Sequence, residues 1–141
     1  MKLSTRARYG LRAMIALAHN YPEGPLSLSE IARSENISLS YLEQVMAVLR
    51  KVSLVEATRG AHGGYQLAAK PASITAGQVL RALDGPISLA ECVSEGTDSG
   101  YCPREAECPT KPLWEHVRDS ITRVLDTTTL ADLCHSGKMK V

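Results

Sequence analysis

Phenylalanine is absent from the 141 residues and tryptophan occurs once, so aromatic side chains make up only 4% of the chain. A core must therefore be assembled from Leu, Ile, Val, Ala and Met. No stretch approaches the roughly 18 apolar residues that a membrane span needs, and the start Met1-Lys2-Leu3-Ser4 has no signal-peptide pattern. A cytoplasmic protein with no membrane partner is the expectation. Catalytic signatures are also missing: there is no P-loop, dinucleotide-binding glycine motif, hydrolase elbow or zinc-protease helix. The enzyme classes that depend on them are excluded, and no enzymatic activity is expected. Low-complexity tracts are lacking, and with 44% hydrophobic and 22% charged residues the composition is that of a globular domain.

Net charge is nearly absent at +1, but it is unevenly spread. Residues 1–85 hold ten Lys/Arg against six Asp/Glu, and residues 86–141 hold six against nine. A basic N-terminal half suits a polyanionic partner and an acidic C-terminal half does not. The four cysteines, Cys92, Cys102, Cys108 and Cys134, all fall in the acidic part, three of them within 17 residues. In a reducing compartment such a group points to metal or redox chemistry before structural disulfides.

Apolar spacing predicts a helix from Tyr9 to Tyr21, with Leu11, Met14, Ile15 and Ala18 inward. Pro22-Glu23-Gly24-Pro25 ends it. Ser27 and Glu30 form a capping-box pair for a short second helix with Leu28, Ile31 and Ala32 inward, ending near Glu35-Asn36. Ser38 caps a third helix to about Val52, whose inward stripe is Leu42, Val45, Met46 and Leu49. Two such helices joined by a tight turn outline a helix-turn-helix. Leu54–Thr58 and Tyr65–Ala68 read as strands around Arg59-Gly60-Ala61-His62-Gly63-Gly64, a hairpin in the position of a wing. A fourth helix opens at Ile74–Gln78 with Thr75 and Gln78 as capping pair, buries Val79, Leu80 and Leu83, and stops at Gly85-Pro86. Residues 86–109 are irregular, with Pro86, Pro103, Gly96 and Gly100 among them. From about Pro109 a long helix carries Leu113, Val117, Ile121, Val124 and Leu125 on one stripe, and a second copy of the chain is the economical surface to cover it. Thr129–Leu133 reads as a last short helix, and Ser136–Val141 as a loose tail. The expected architecture is mainly α: a winged helix-turn-helix over 1–85, a cysteine-bearing loop over 86–109, and a dimerisation helix with tail over 110–141.

With the Leu42 stripe inward, the third helix presents Ser40, Tyr41, Glu43, Gln44, Arg50 and Lys51 outward, and Ser38 and Gly60 lie at its edge and on the wing. Polar groups near a helix start donate to phosphates or base edges, and the helix dipole favours phosphate there. Arg59 on the wing can enter a minor groove or bind phosphate. Glu43 is unusual beside phosphates, but it can accept from cytosine N4 and so act in specificity. These residues are the candidate contacts to double-stranded DNA.

Cys92-x9-Cys102-x5-Cys108 supplies soft donors on one segment. By spacing alone an iron–sulfur cluster, a zinc site with a non-cysteine fourth ligand, a redox disulfide and plain surface thiols all remain open.

The chain resembles the Rrf-two family of winged-helix transcription regulators, whose branches are typified by IscR, NsrR, RirA and CymR. The marks are Arg8-Tyr9-Gly10-Leu11, Tyr41-Leu42-Glu43-Gln44, Arg59-Gly60-Ala61-His62-Gly63-Gly64-Tyr65, Ile74-Thr75-Ala76-Gly77 and Asp84-Gly85-Pro86, co-linear over nearly the whole chain. The resemblance implies a homodimer on palindromic operator DNA with crossed C-terminal helices. It also implies recognition contacts from Ser40, Glu43 and Gln44 and a wing contact from Arg59. The first half looks closest to the CymR branch, which lacks the three-cysteine loop, whereas the loop itself looks like the cluster-binding branch. There the resemblance implies an iron–sulfur cluster on Cys92, Cys102 and Cys108, a two-iron (2Fe-2S) cluster ahead of a four-iron (4Fe-4S) one. The family's fourth ligand is not matched. Lys111 stands where IscR-like members have a histidine, and Arg8 where NsrR-like members have an acidic residue. Chemistry alone offers His116, Glu105, Glu107 and Cys134, with His116 the weak first choice. Cys134 reads better as a packed thiol, and Trp114 as a core or interface residue that can also shield the loop.

The expected function is a repressor whose operator binding responds to a cluster reporting iron, cluster supply, or redox and nitric oxide stress. A cluster-free CymR-like repressor of sulfur or cysteine metabolism, controlled by a metabolite or partner enzyme, is the alternative. An iron–sulfur electron-transfer protein is the alternative from another class.

Overall fold

In a computed structural model, residues 3–96 and 102–135 are described. Met1, Lys2, Gly100 and the expected tail at 136–141 lie outside them. The first helix, α1 (Thr5–Asn20), starts before the apolar period does, because the Ser4 hydroxyl accepts the Ala7 amide at 2.9 Å and satisfies a donor that the first turn leaves free. Its buried face is Ala7, Gly10, Ala13, Met14, Leu17 and Ala18. Leu11 and Ile15, expected inward, are only half-buried. Small residues dominate this face because neighbouring elements come close: a Cβ at Gly10 would sit 2.2 Å from Leu83 Cδ1 and 3.2 Å from Val45 Cγ1.

Helix α2 (Leu28–Glu35) is capped by Ser27, which accepts the Glu30 amide at 3.2 Å. It stops at Asn36, whose φ of +54° lies in the left-handed region that asparagine tolerates. Buried Ile37 anchors the turn. Ser38 then caps α3 (Leu39–Lys51), with Leu42, Val45, Met46 and Leu49 all buried as the spacing predicts. Strands β1 (Val55–Thr58) and β2 (Gly64–Leu67) pair antiparallel, Val55 opposite Leu67 and Thr58 opposite Gly64. Leu26 adds a further bridge to Tyr65 through amide–carbonyl bonds of 2.8 and 2.9 Å, tying the wing to the segment before α2.

Helix α4 (Ala76–Asp84) carries the complete reciprocal cap between Thr75 and Gln78 and buries Val79, Leu80 and Leu83. After single 3₁₀ turns at Glu91–Val93 and Glu105–Glu107 comes α5 (Lys111–Thr127), which buries no residue completely. Its expected single stripe divides. Ile121 and Leu125 are half-buried and line a groove with Leu80 and Ile87, whereas Leu113 and Val124 are 53% and 55% exposed. Ile121 and Leu125 thus lie on the α4 side of the helix, and Leu113 and Val124 form the exposed edge. The last helix, α6 (Leu130–His135), returns to α1. Leu130 is fully buried within the core formed by α1, α3, α4 and the hairpin. Backbone bonds from Leu130 to Ile74 (2.9 Å) and from Ala76 to Thr128 (2.8 Å) hold it there. No helix of the described residues is long and apolar enough to cross a membrane.

Candidate nucleic-acid interface and cysteine loop

The turn 36–38 brings α3 across α2 with its first residues outward. Ser38 spends its hydroxyl on the Tyr41 amide (3.2 Å), so as cap it fixes where the helix begins. Ser40, Glu43 and Gln44 are exposed on the first turns. Arg50 and Lys51 are also exposed but lie in the last turn, roughly 10 Å or more along the axis at about 1.5 Å per residue. There they favour the carbonyl end of the helix as well as any phosphate. Tyr41 is half-buried: its ring meets Tyr9 edge-on, with centroids 5.9 Å apart and planes at 87°. Arg12 lies 5.6 Å above the Tyr9 ring, ion-pairs with Glu35 at 3.0 Å and also bonds the Glu35 carbonyl. The chain Glu35–Arg12–Tyr9–Tyr41 therefore locks the end of α2 and the start of α3 onto α1.

On the wing, Arg59 and Gly60 are exposed. Gly60 has φ +110°, and its carbonyl accepts the Gly63 amide at 3.0 Å. A Cβ at Gly63 would lie 2.2 Å from the Thr58 carbonyl oxygen, so the turn closes only with glycine there. Sequence spacing did not single out Thr5 and Arg6. They line a cleft of about 590 Å³ with Tyr41, Gln44 and Val48, which sets the start of α1 beside the recognition face. A helix-capping signal at Ser4 was the one available pointer to it.

The three loop cysteines are free thiols, as is Cys134. Cys92 lies in the first 3₁₀ turn, and Cys108 follows the second with its Sγ 3.2 Å from the Thr110 hydroxyl. Lys111, first residue of α5, interacts electrostatically with both Cys92 and Cys108, and shares a shallow cleft of about 600 Å³ with Cys102 and Glu105. Its ammonium pairs with Glu105 and, at 3.7 Å, with Glu115. Thr110 hydrogen bonding, aided by the Lys111 amide and charge, holds the Cys108 thiol below its ordinary range, and Glu105 pushes Lys111 up. The donor types suit a soft metal centre, since all three are thiols and Cys108 is biased to thiolate. The geometry does not yet gather them: among the described residues no three His, Cys, Asp or Glu side chains are close enough together to hold an ion. His116 is exposed on α5, with its carbonyl bonded by Ser120. Glu105 is engaged by Lys111, and Glu107 is exposed. Cys134 packs on the core 3.8 Å from the Ile15 carbonyl, and burial raises its thiol. It is a packing residue.

A helix-turn-helix with a polar outward face and a wing bearing an exposed arginine defines a winged-helix DNA-binding transcription regulator. The chain belongs to the Rrf2 family, described as "Iron-dependent Transcriptional regulator", which it matches over residues 3–136. It is 48% identical over 134 residues to the HTH-type transcriptional regulator CymR of Bacillus subtilis, covering 94% of this chain and 89% of that protein. The structure of CymR (YrzC), the global cysteine regulator of B. subtilis, superposes with a TM-score of 0.79 at 45% identity, covering 96% of this chain and 97% of that one. T. potens IscR superposes with a TM-score of 0.78 at 42% identity, covering 100% and 93%. The B. subtilis protein is named as a regulator, and the chain is a regulator and not an enzyme.

Proposed function

We propose that the chain is a homodimeric repressor that binds a palindromic operator and whose binding responds to an iron–sulfur cluster held by Cys92, Cys102 and Cys108. The division is a DNA-binding unit at 1–85, a cysteine loop at 86–109 and a dimerisation segment at 110–141. The observation that carries the reading is the placement of Cys92, Cys102 and Cys108 on the one segment that joins the DNA-binding unit to α5, with Cys108 biased to thiolate. When bound, the cluster supplies a redox-active centre sensitive to oxygen, nitric oxide and iron supply. The residues do the rest. Thr110 and Lys111 favour the Cys108 thiolate needed for ligation. Glu105 and Glu115 keep Lys111 protonated and so without a lone pair to ligate. The fourth position then falls to another group, with His116 the candidate on this chain. On DNA, Ser40, Tyr41, Glu43 and Gln44 meet the major groove, Ser38 sets the helix start, Arg50 and Lys51 meet the backbone, and Arg59 with Gly60 meets the flanking groove.

The cluster-free repressor under metabolite or partner-enzyme control is the second reading. Identity to B. subtilis CymR and the lysine at position 111 favour it. One anaerobic preparation separates the two. Visible absorbance bands with stoichiometric iron and sulfide support the first, and Mössbauer spectra distinguish two-iron from four-iron clusters. A colourless protein that still binds operator supports the second. Operator binding that weakens steeply with salt tests the DNA function common to both.

A further inference from the structure

The loop, the long helix and the DNA-binding unit meet at one side chain. Arg81 on α4 is forked between two carboxylates from different segments. Its Nε and Nη2 donate to Glu95 at 3.0 and 2.7 Å, and Nη1 and Nη2 donate to Asp126 of α5 at 2.6 and 2.9 Å. Glu95 also accepts the Ile87 amide at 2.8 Å, and its own amide donates to the Ile87 carbonyl at 3.2 Å, closing the segment 87–95 on itself. Buried Val93 is held from α5, whose Arg118 donates to the Val93 carbonyl at 3.2 Å. Cys92 sits inside this closed segment. Helix α5 also comes very near α4: a Cβ at Gly77 would lie 2.0 Å from Asp126 Oδ1 and 2.7 Å from the Arg81 guanidinium. On its other side α4 reaches the recognition helix, since Leu83 fills the space at Gly10 beside Val45.

We propose that Arg81 is a positioning residue: it fixes the Cys92 half of the loop and the end of α5 to α4, and thereby sets the angle between the DNA-binding unit and the dimerisation helix. Exposed ion pairs contribute little to stability, and these side chains are 25–40% exposed. A fork of five donor–acceptor bonds to two carboxylates instead defines an orientation. In a dimer that orientation determines the separation of the two recognition helices, which half-site spacing on DNA reads strictly. The inference rests on the dimeric operator-binding reading given above.

The test compares operators whose half-sites are moved one base pair nearer or further apart with a single half-site, using full-length protein with and without reconstituted cluster. Wild type should discriminate the correct spacing from the shifted ones by about tenfold or more. Arg81→Met should reduce that to about twofold or less, with half-site binding and iron and sulfide content unchanged. The difference between cluster-loaded and cluster-free protein should shrink with it, and Arg81→Lys, which keeps the charge but not the fork, should restore part of both. Should Arg81→Met fail to fold, Glu95→Gln and Asp126→Asn remove one arm each and carry the same comparison. The proposal is overturned if the folded variants keep wild-type spacing discrimination, or if they lose half-site and full-site binding equally. A wild-type protein without iron refutes the cluster reading alone, and the spacing comparison on the cluster-free protein still decides the role of Arg81.

Discussion

Replacing Arg59 with alanine removes a cation that the fold itself does not use. Arg59 is exposed on the wing beside Gly60, and among the described residues no hydrogen bond or ion pair holds it. The register of β1 and β2 and the close turn at Gly63 are backbone features that the substitution leaves intact. Stability should therefore change by no more than about 0.5 kcal/mol, as for an ordinary surface position. Operator binding should weaken by about 1–3 kcal/mol, roughly 5- to 150-fold in Kd. Salt dependence identifies the contact. Loss of a phosphate contact lowers the slope of log K against log salt by about 0.9 and weakens all sequences alike. Loss of a groove contact leaves more of the slope but relaxes sequence preference where the wing sits. Fluorescence anisotropy with labelled operator and scrambled duplex at four or five salt concentrations, with a thermal melt as control, reads all three quantities. Unchanged affinity and slope in a folded protein would refute the assignment of the wing to DNA.

Val124→Glu should give a folded monomer by light scattering, because Val124 and Leu113 form the uncovered edge of α5; a folded dimer would place the interface elsewhere. Gly10→Val should lower stability by about 1–3 kcal/mol through overpacking against Leu83 and Val45, and an unchanged denaturation midpoint would contradict the close approach. Asp132 is held below the usual carboxylate range by the Thr129 amide and hydroxyl. Its contribution is present above the unfolded value of about 3.9 and is lost as pH falls through the lower folded value. The stability gap between wild type and Asp132→Asn should therefore be full near neutral pH and close in acid; a gap independent of pH would show that the carboxylate is not the stabilising group. Alanine at Cys92, Cys102 or Cys108 should each abolish iron retention, and Cys134→Ala should keep it; iron loss with Cys134→Ala would return that thiol to the ligand set.

Helix α3 was fully legible because both of its determinants are local: a serine cap and four large apolar residues at helical spacing. The α4 cap and the two strands of the hairpin were legible for the same reason. The start of α1 was not, since Ala7 and Gly10 carry almost no hydrophobic signal and their burial is dictated by Leu83 and Val45 arriving from elsewhere in the chain. The division of the α5 stripe was hidden similarly: Ile121 and Val124 look equivalent in sequence, and only the position of α4 separates them. The return of α6 depends on backbone pairing between residues about 55 apart, Ile74 and Leu130, which no local pattern encodes. Of the site, the outward face of α3 and the cysteine loop were legible by residue type. The Tyr9–Tyr41 lock and the placement of Arg6 beside Gln44 arise only from packing.

The two halves of the cysteine loop are anchored differently, and this bears on how any signal there would travel. Residues 87–95 are tied to α4 and α5 through Glu95 and Arg118, whereas Cys108 is tied through Thr110 and Lys111 to the first turn of α5. A bond drawing Cys102 and Cys108 towards Cys92, whether through a metal centre or a disulfide, would therefore act against a fixed half and pull on the start of α5. Asp126 pins that helix near its other end, about 22 Å away at 1.5 Å per residue. With the helix held at both Arg118 and Asp126, such a pull would bear on its first turns, where the exposed Leu113 lies. A metabolite acting without the thiols has no such lever and would need a different seat, such as the groove between Leu3, Leu80, Ile87 and Leu125. Loss of the regulatory response in the three loop-cysteine variants, with cluster-free operator binding retained, would favour the lever; an intact response would favour the groove.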